Sequence, residues 1–115
     1  MTGDNDTRIP TDWLALPDLV DVTGESLSRV RRYLDEAYLI GSRRNGTFQV
    51  PAIFIVEGAP LSSLRGTVIA LRDSGLTDDE AIDWLLEHDE TIGQAPITSL
   101  LQGRKSEVRR VARTL

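Results

Sequence analysis

From residue 26 onward the apolar positions fall at Leu27, Val30, Tyr33, Leu34 and Ala37, which at about 100° per residue share one side of a helix. Ser28, Arg29 and Arg32 share the opposite face, with Asp35 and Glu36 beyond them. Ser26 stands where an N-cap is needed, because its hydroxyl can accept from the otherwise unsatisfied amides of the first turn. Gly24, just ahead, tolerates the backbone angles of a tight turn. The pattern therefore predicts a helix starting near Leu27. Upstream, Trp13, Leu14 and Leu16 begin the ordered part of the chain, with Trp13 expected in the core or as a lid. Pro17 suits the first turn of a shorter helix running through Leu19, Val20 and Val22.

Residues 39–44 and 47–51 read as two short strands around Asn45-Gly46. Both turn residues accept positive φ, so a type I′ hairpin is expected, with Arg43 and Arg44 at its tip. Helix, turn, helix and hairpin in that order outline a winged helix-turn-helix. A recognition helix presents its N-terminal residues to base edges, and Arg is the commonest reader of guanine. Ser28, Arg29 and Arg32 are thus expected in the major groove, with Arg31 on the backbone. Arg43 and Arg44 are expected at the flank, on phosphate or in the minor groove. The helix alone also fits an ordinary surface helix whose arginines pair with Asp35 and Glu36. A second basic element on the same side weighs against that alternative.

Beyond the wing, Ser63 is placed to cap a helix in which Leu64, Val68, Ile69 and Leu71 face inward, ended by Gly75. Thr77 and Glu80 bracket Asp78 and Asp79 as a capping box, opening a helix that carries Ala81, Ile82, Trp84 and Leu85. Acidic side chains in a first turn are what the helix dipole favours, so these three acids read as structural rather than metal-binding. Trp84 reads as core, and His88 as a charge partner near the end of that helix. Pro96 opens a short helix, Gly103 separates it from the last one, and Leu100, Leu101, Val108 and Val111 are expected to bury the seam. Arg104, Lys105, Arg109, Arg110 and Arg113 leave a basic outer face, either for phosphate or as a complement to the acidic middle of the same molecule. The fold class expected is mainly α with a small β-hairpin wing. Residues 1–12 read as a flexible acidic tail, 13–58 as the winged helix-turn-helix, and 59–115 as a helical region packed on it as one compact unit.

Length and composition narrow the chemistry. A chain of 115 residues suits one domain. The lack of cysteine excludes disulfides, thiolate metal sites and cysteine nucleophiles, and a single histidine argues against a histidine metal cluster or triad. No nucleophile–base pair or phosphate-cradling glycine loop emerges, so neither an enzyme, a cofactor nor a metal is expected. The start of the chain lacks the apolar stretch of a secretory signal, and the apolar run over residues 50–56 is too short to cross a bilayer, so a cytoplasmic protein is expected.

The net charge of −5 by itself opposes nucleic-acid binding, because neutralising phosphate supplies most of the non-specific affinity. Its distribution changes the picture. Residues 1–25 sum to −5, 26–51 to +3, 52–103 to −7 and 104–115 to +4. Positive charge is confined to the suspected reading segment and the C-terminal end, and local patches rather than the total steer association.

The order formed by residues 16–24, 30–34 and 38–40, the Asn45-Gly46 wing and residues 50–54 resembles a small actinobacterial family of winged-helix DNA-binding proteins, related in outline to the reading heads of mercury-resistance type regulators. The likeness continues through residues 64–71, 73–76 and 81–85. It implies a winged helix with an appended helical region, binding double-stranded DNA and, in some members, subject to Ser/Thr kinase control. Thr2, Thr7 and Thr11 lie among acidic residues that suit a kinase as well as they suit an ordinary tail, and the resemblance carries no phosphosite onto a named residue. A second resemblance links Trp84, Leu85, Gly93, Pro96, Leu100, Leu101 and Gly103 to the toxin-binding region of certain antitoxins. The leading expectation is thus a DNA-binding transcriptional regulator or nucleoid-associated factor, and the alternative is an antitoxin-like or adaptor module that binds a protein partner.

Overall fold

In the computed structural model, which describes residues 8–115, a short strand, β1 (Trp13–Ala15), leads directly into two helices, α1 (Leu16–Thr23) and α2 (Leu27–Asp35). Helix α1 starts where Asp18 Oδ2 accepts from the Ala15 amide at 3.0 Å, with Pro17 in the first turn. It stops at Gly24, whose φ of 68° is left-handed and whose amide donates to the Val20 carbonyl at 2.9 Å. The Thr23 hydroxyl donates to the Leu19 carbonyl and accepts from the Glu25 amide, bracing the tight turn into α2. Ser26 caps α2 as its position predicts, accepting from the Arg29 amide at 3.1 Å. At the far end the Tyr38 and Leu39 amides both donate to the Tyr33 carbonyl, and Ala37 takes a φ of 65°, which turns the chain toward the sheet.

Strands β2 (Ser42–Arg44) and β3 (Thr47–Pro51) form the expected hairpin, with Arg44 opposite Thr47 and with Asn45 and Gly46 at φ 54° and 80°. Strand β1 pairs with the other edge of β3, Trp13 opposite Pro51 and Ala15 opposite Gln49. The wing is therefore one side of a three-stranded sheet in the order β1-β3-β2. Trp13 and Leu14, expected to begin the ordered part, do so as a strand; so short a strand carries no period that a pattern can register. Gly41 precedes β2 because a Cβ there would lie 2.6 Å from the Gln49 carbonyl oxygen and from the Phe48 ring.

A 3-10 turn (Ala52–Phe54) and a small ladder, β4 (Ile55–Val56) with β5 (Ala59–Pro60), lead to α3 (Leu64–Asp73), α4 (Asp78–Leu86), α5 (Pro96–Leu101) and α6 (Lys105–Ala112). The capping box forms as predicted: Thr77 Oγ1 accepts from the Glu80 amide at 3.1 Å, and Glu80 Oε1 accepts from the Thr77 amide at 2.9 Å. A single cluster of buried side chains runs from Leu19, Val30, Leu39 and Val50 through Phe54 to Leu64, Leu71, Leu85, Ile97 and Val108. The helix-turn-helix and the C-terminal helices thus bury their apolar faces in one core.

Several expectations differ from what the structure holds. Leu27 is 42% exposed and Leu101 44% exposed, so neither joins the seam assigned to it, and Ile69 also reaches solvent. Ser63 precedes α3 without a side-chain cap bond; its carbonyl is used instead, accepting from Thr67 Oγ1 and from the Arg109 guanidinium. Arg109 therefore leaves the basic outer face: its guanidinium lies against Gly66, where a Cβ would stand 2.6 Å from Cζ. Arg104, Lys105, Arg110 and Arg113 stay exposed. Trp84 is half-buried, donating from Nε1 to Asp89 Oδ2 at 3.2 Å, and His88 faces Glu90.

Residues 8–12 are docked instead of hanging as a tail. Arg8 pairs with Asp83 and Glu87, and the Ile9 amide donates to the Leu86 carbonyl. The Ala52 amide donates to the Asp12 carbonyl, and the Ile53 amide to Thr11 Oγ1. Backbone partners outweigh the polar composition that suggested a tail. Thr2 and Thr7 lie outside the described residues. Among the described residues no helix is long and apolar enough to cross a membrane, and no group of three or more His, Asp or Glu side chains is placed to hold a metal ion.

Candidate nucleic-acid interface

Helix α2 buries Val30 completely and turns Ser28, Arg29, Arg31 and Arg32 to solvent. Its 3.6-residue period dictates this: anchoring Val30 and Leu34 in the core leaves Arg32 pointing outward, with Ser28 and Arg29 on either side. Arg31 emerges toward a flank. The Arg29 guanidinium lies over the Tyr33 ring, 5.5 Å from its centroid. Its pKa is held above the ordinary arginine value, first by hydrogen bonding with the Tyr33 side chain, then by charge interaction with Tyr33 and Glu25. Arg29 is thus a permanent cation. Arg32 has Glu36 one turn on, at 3.9 Å, a separation worth little in an exposed pair. Arg29, Arg31 and Arg43 make no ion pair with a carboxylate among the described residues.

The hairpin divides its two arginines. Cross-strand neighbours share a face of a sheet, so Arg43 stands with Phe48, Leu14 and the buried Val50 on one side. Arg44 stands with Thr47, Ser42 and Trp13 on the other side. Its guanidinium covers the Trp13 ring at 4.0 Å from the centroid, facing a cleft that Asp79 and Asp83 of α4 also line. Arg43 is therefore exposed on one face of the hairpin, and Arg44 is drawn over Trp13 on the other. The alternation that separates them was readable in the sequence. Trp13 as the platform was not, because β1 meets β3 across a long sequence separation.

Tyr33, which the pattern placed on the apolar face of α2, borders this surface with Tyr38 and Arg65, to which sequence reasoning gave no part in it. Tyr33 and Tyr38 meet edge to face, with ring centroids 6.2 Å apart, and Tyr38 is 42% exposed. With Arg29, Arg32 and Glu36 they line a shallow notch of 280 Å³ on the outer flank of α2. Arg65, from the first turn of α3, places its Cζ 5.2 Å from the Tyr38 ring and donates from Nε to the Glu36 carbonyl at 2.8 Å.

A helix-turn-helix followed by a β-hairpin wing that belongs to a small antiparallel sheet is the architecture of the winged helix-turn-helix class. Two family models match the chain in tandem: that of the DNA-binding protein Rv2175c, wHTH domain, over residues 5–55, and that of the Rv2175c C-terminal domain of unknown function over residues 61–115. The chain belongs to this family. The DNA-binding protein Rv2175c of Mycobacterium tuberculosis (strain ATCC 25618 / H37Rv) is 32% identical over 78 residues, which cover 67% of this chain and 53% of that protein. The matched part thus spans about half the length of that relative. The NMR structure of Rv2175c superposes with a TM-score of 0.80 over 99% of this chain and 95% of that one, at 24% identity, and so shares the fold.

Proposed function

We propose that this chain binds double-stranded DNA, with α2 in the major groove and the β2–β3 wing beside it, and acts as a transcriptional regulator or nucleoid-associated factor. The observation that carries the reading is the outer face of α2, where Ser28, Arg29 and Arg32 stand exposed on a helix that its own buried side holds rigid. Membership of a family described by a DNA-binding winged domain supports it. Ser28, Arg29 and Arg32 are assigned to base edges, and Arg31 and Arg43 to phosphate. Arg44 is reassigned to holding β1 against the hairpin.

The test is a titration of a labelled duplex at rising salt. Arg29→Ala and Arg32→Ala should each weaken binding to a preferred sequence by about 1–3 kcal/mol, with a smaller effect on a scrambled duplex. Unchanged affinity in the double variant would overturn the assignment. A protein-interaction role has one observation in its favour: Leu16, Pro17, Val20 and Leu27 line an open apolar groove between α1 and α2. Recovery of a stoichiometric protein partner by a chain that shows no DNA affinity at low salt would favour that role instead.

A further inference from the structure

The C-terminal helices contribute one charge to the same surface as α2. Arg65 belongs to α3, yet its Nε donates to the carbonyl of Glu36, the residue that ends α2, and its guanidinium packs on Tyr38. Tyr38 in turn lines the notch shared with Arg29, Arg32 and Tyr33. The result is a continuous row, Arg29, Tyr33, Tyr38 and Arg65, that starts on the reading helix and finishes on the C-terminal region. Arg65 is exposed, and among the described residues it makes no ion pair with a carboxylate. Arg72, on the same helix, is by contrast held by Asp78 through two hydrogen bonds.

We propose that Arg65 is a DNA phosphate contact, so that the C-terminal region takes part in nucleic-acid binding directly; this rests on the DNA-binding reading above. The geometry favours phosphate over base. Helix α2 has nine residues, a length of about 13.5 Å at 1.5 Å per residue. The major groove is about 12 Å wide. A helix whose N-terminal arginines meet base edges therefore brings its other end to the backbone bordering the groove, and Arg65 sits at that end. Its Nε is committed to the Glu36 carbonyl, which fixes the plane of the guanidinium. The terminal nitrogens remain to donate to phosphate oxygens, a geometry arginine suits well. Stacking on Tyr38 restricts the side chain further, so less freedom is lost when an anion binds.

A cation at the C-terminal end of a helix also favours that helix through its dipole, so the test separates this structural role from a phosphate contact. The full chain is titrated by fluorescence anisotropy against a labelled duplex selected from a random pool and against its scrambled counterpart, each over a range of salt. Arg65→Gln removes the charge and keeps an amide able to donate to the Glu36 carbonyl. It should weaken binding to both duplexes by the same factor and make the slope of log affinity against log salt shallower by about 0.9, the value of one phosphate contact. Arg65→Lys should recover most of the slope. Thermal melts of both variants monitor folding. A Gln variant with wild-type affinity and slope overturns the proposal and leaves the DNA-binding reading standing, as does a loss confined to the selected duplex. A wild-type chain that binds neither duplex at low salt overturns both.

Discussion

Arg43 and Arg44 are adjacent, identical in chemistry and different in surroundings. Strand alternation sends them to different faces of the sheet, and what each face meets decides the outcome. Arg44 meets the Trp13 ring at 4.0 Å and serves the fold. Arg44→Ala should therefore lower stability by about 1 kcal/mol, the worth of a moderately shielded cation–π contact, while DNA affinity stays near wild type. Urea denaturation alongside a duplex titration checks this. A variant that loses DNA affinity at unchanged stability would return Arg44 to the interface. Arg109 shows the same principle: it counted toward a basic outer face in the sequence, and in the fold it fills the space that Gly66 leaves and donates to the Ser63 carbonyl.

At the scale of elements, helix starts obey local rules. Ser26 caps α2 and Thr77 with Glu80 caps α4, in both cases from side chains within three residues of the amides they satisfy. Ser26→Ala and Thr77→Ala should each cost about 1 kcal/mol in a thermal melt. Their functional effects should differ. Losing the Ser26 cap loosens the turn of α2 that presents Ser28 and Arg29, so DNA affinity should fall. Losing the Thr77 cap acts far from that surface and should leave affinity unchanged in the same titration. Ser63 marks the limit of such rules: it has the right residue type before α3, but its backbone is already helical and its hydroxyl makes no cap bond.

At the scale of the whole molecule, residues 8–12 strap the winged domain to the C-terminal helices. They join α4 through Arg8 and Ile9, and the 3-10 turn after the wing through Thr11 and Asp12. Removing residues 1–12 should lower the melting temperature, an outcome that a freely hanging tail would not produce. Trp13 fluorescence should report the change, since its ring borders the clefts that Arg8 helps to line. The charge of the molecule also acts at this scale. With a net charge of −5, DNA binding through the arginines of one edge makes few phosphate contacts, so the slope of log affinity against log salt should stay shallow, at about 0.9 per contact in a salt titration.

Much of the fold was legible because it is written over short distances. The period of α2, its serine cap, the glycine turn before it, the Asn-Gly hairpin and the capping box of α4 each need only a few neighbouring residues, and each forms in the structure. The exposed face of Ser28, Arg29 and Arg32 follows from the same periodicity. Only the tertiary structure decided what those elements meet. Pairing β1 with β3, docking residues 8–12 on α4, drawing Arg44 over Trp13 and setting Arg65 against the end of α2 all join residues far apart in the chain. Periodicity and capping describe how a segment folds on itself; they hold no information about which distant surface will cover it, and packing one shared core settles that.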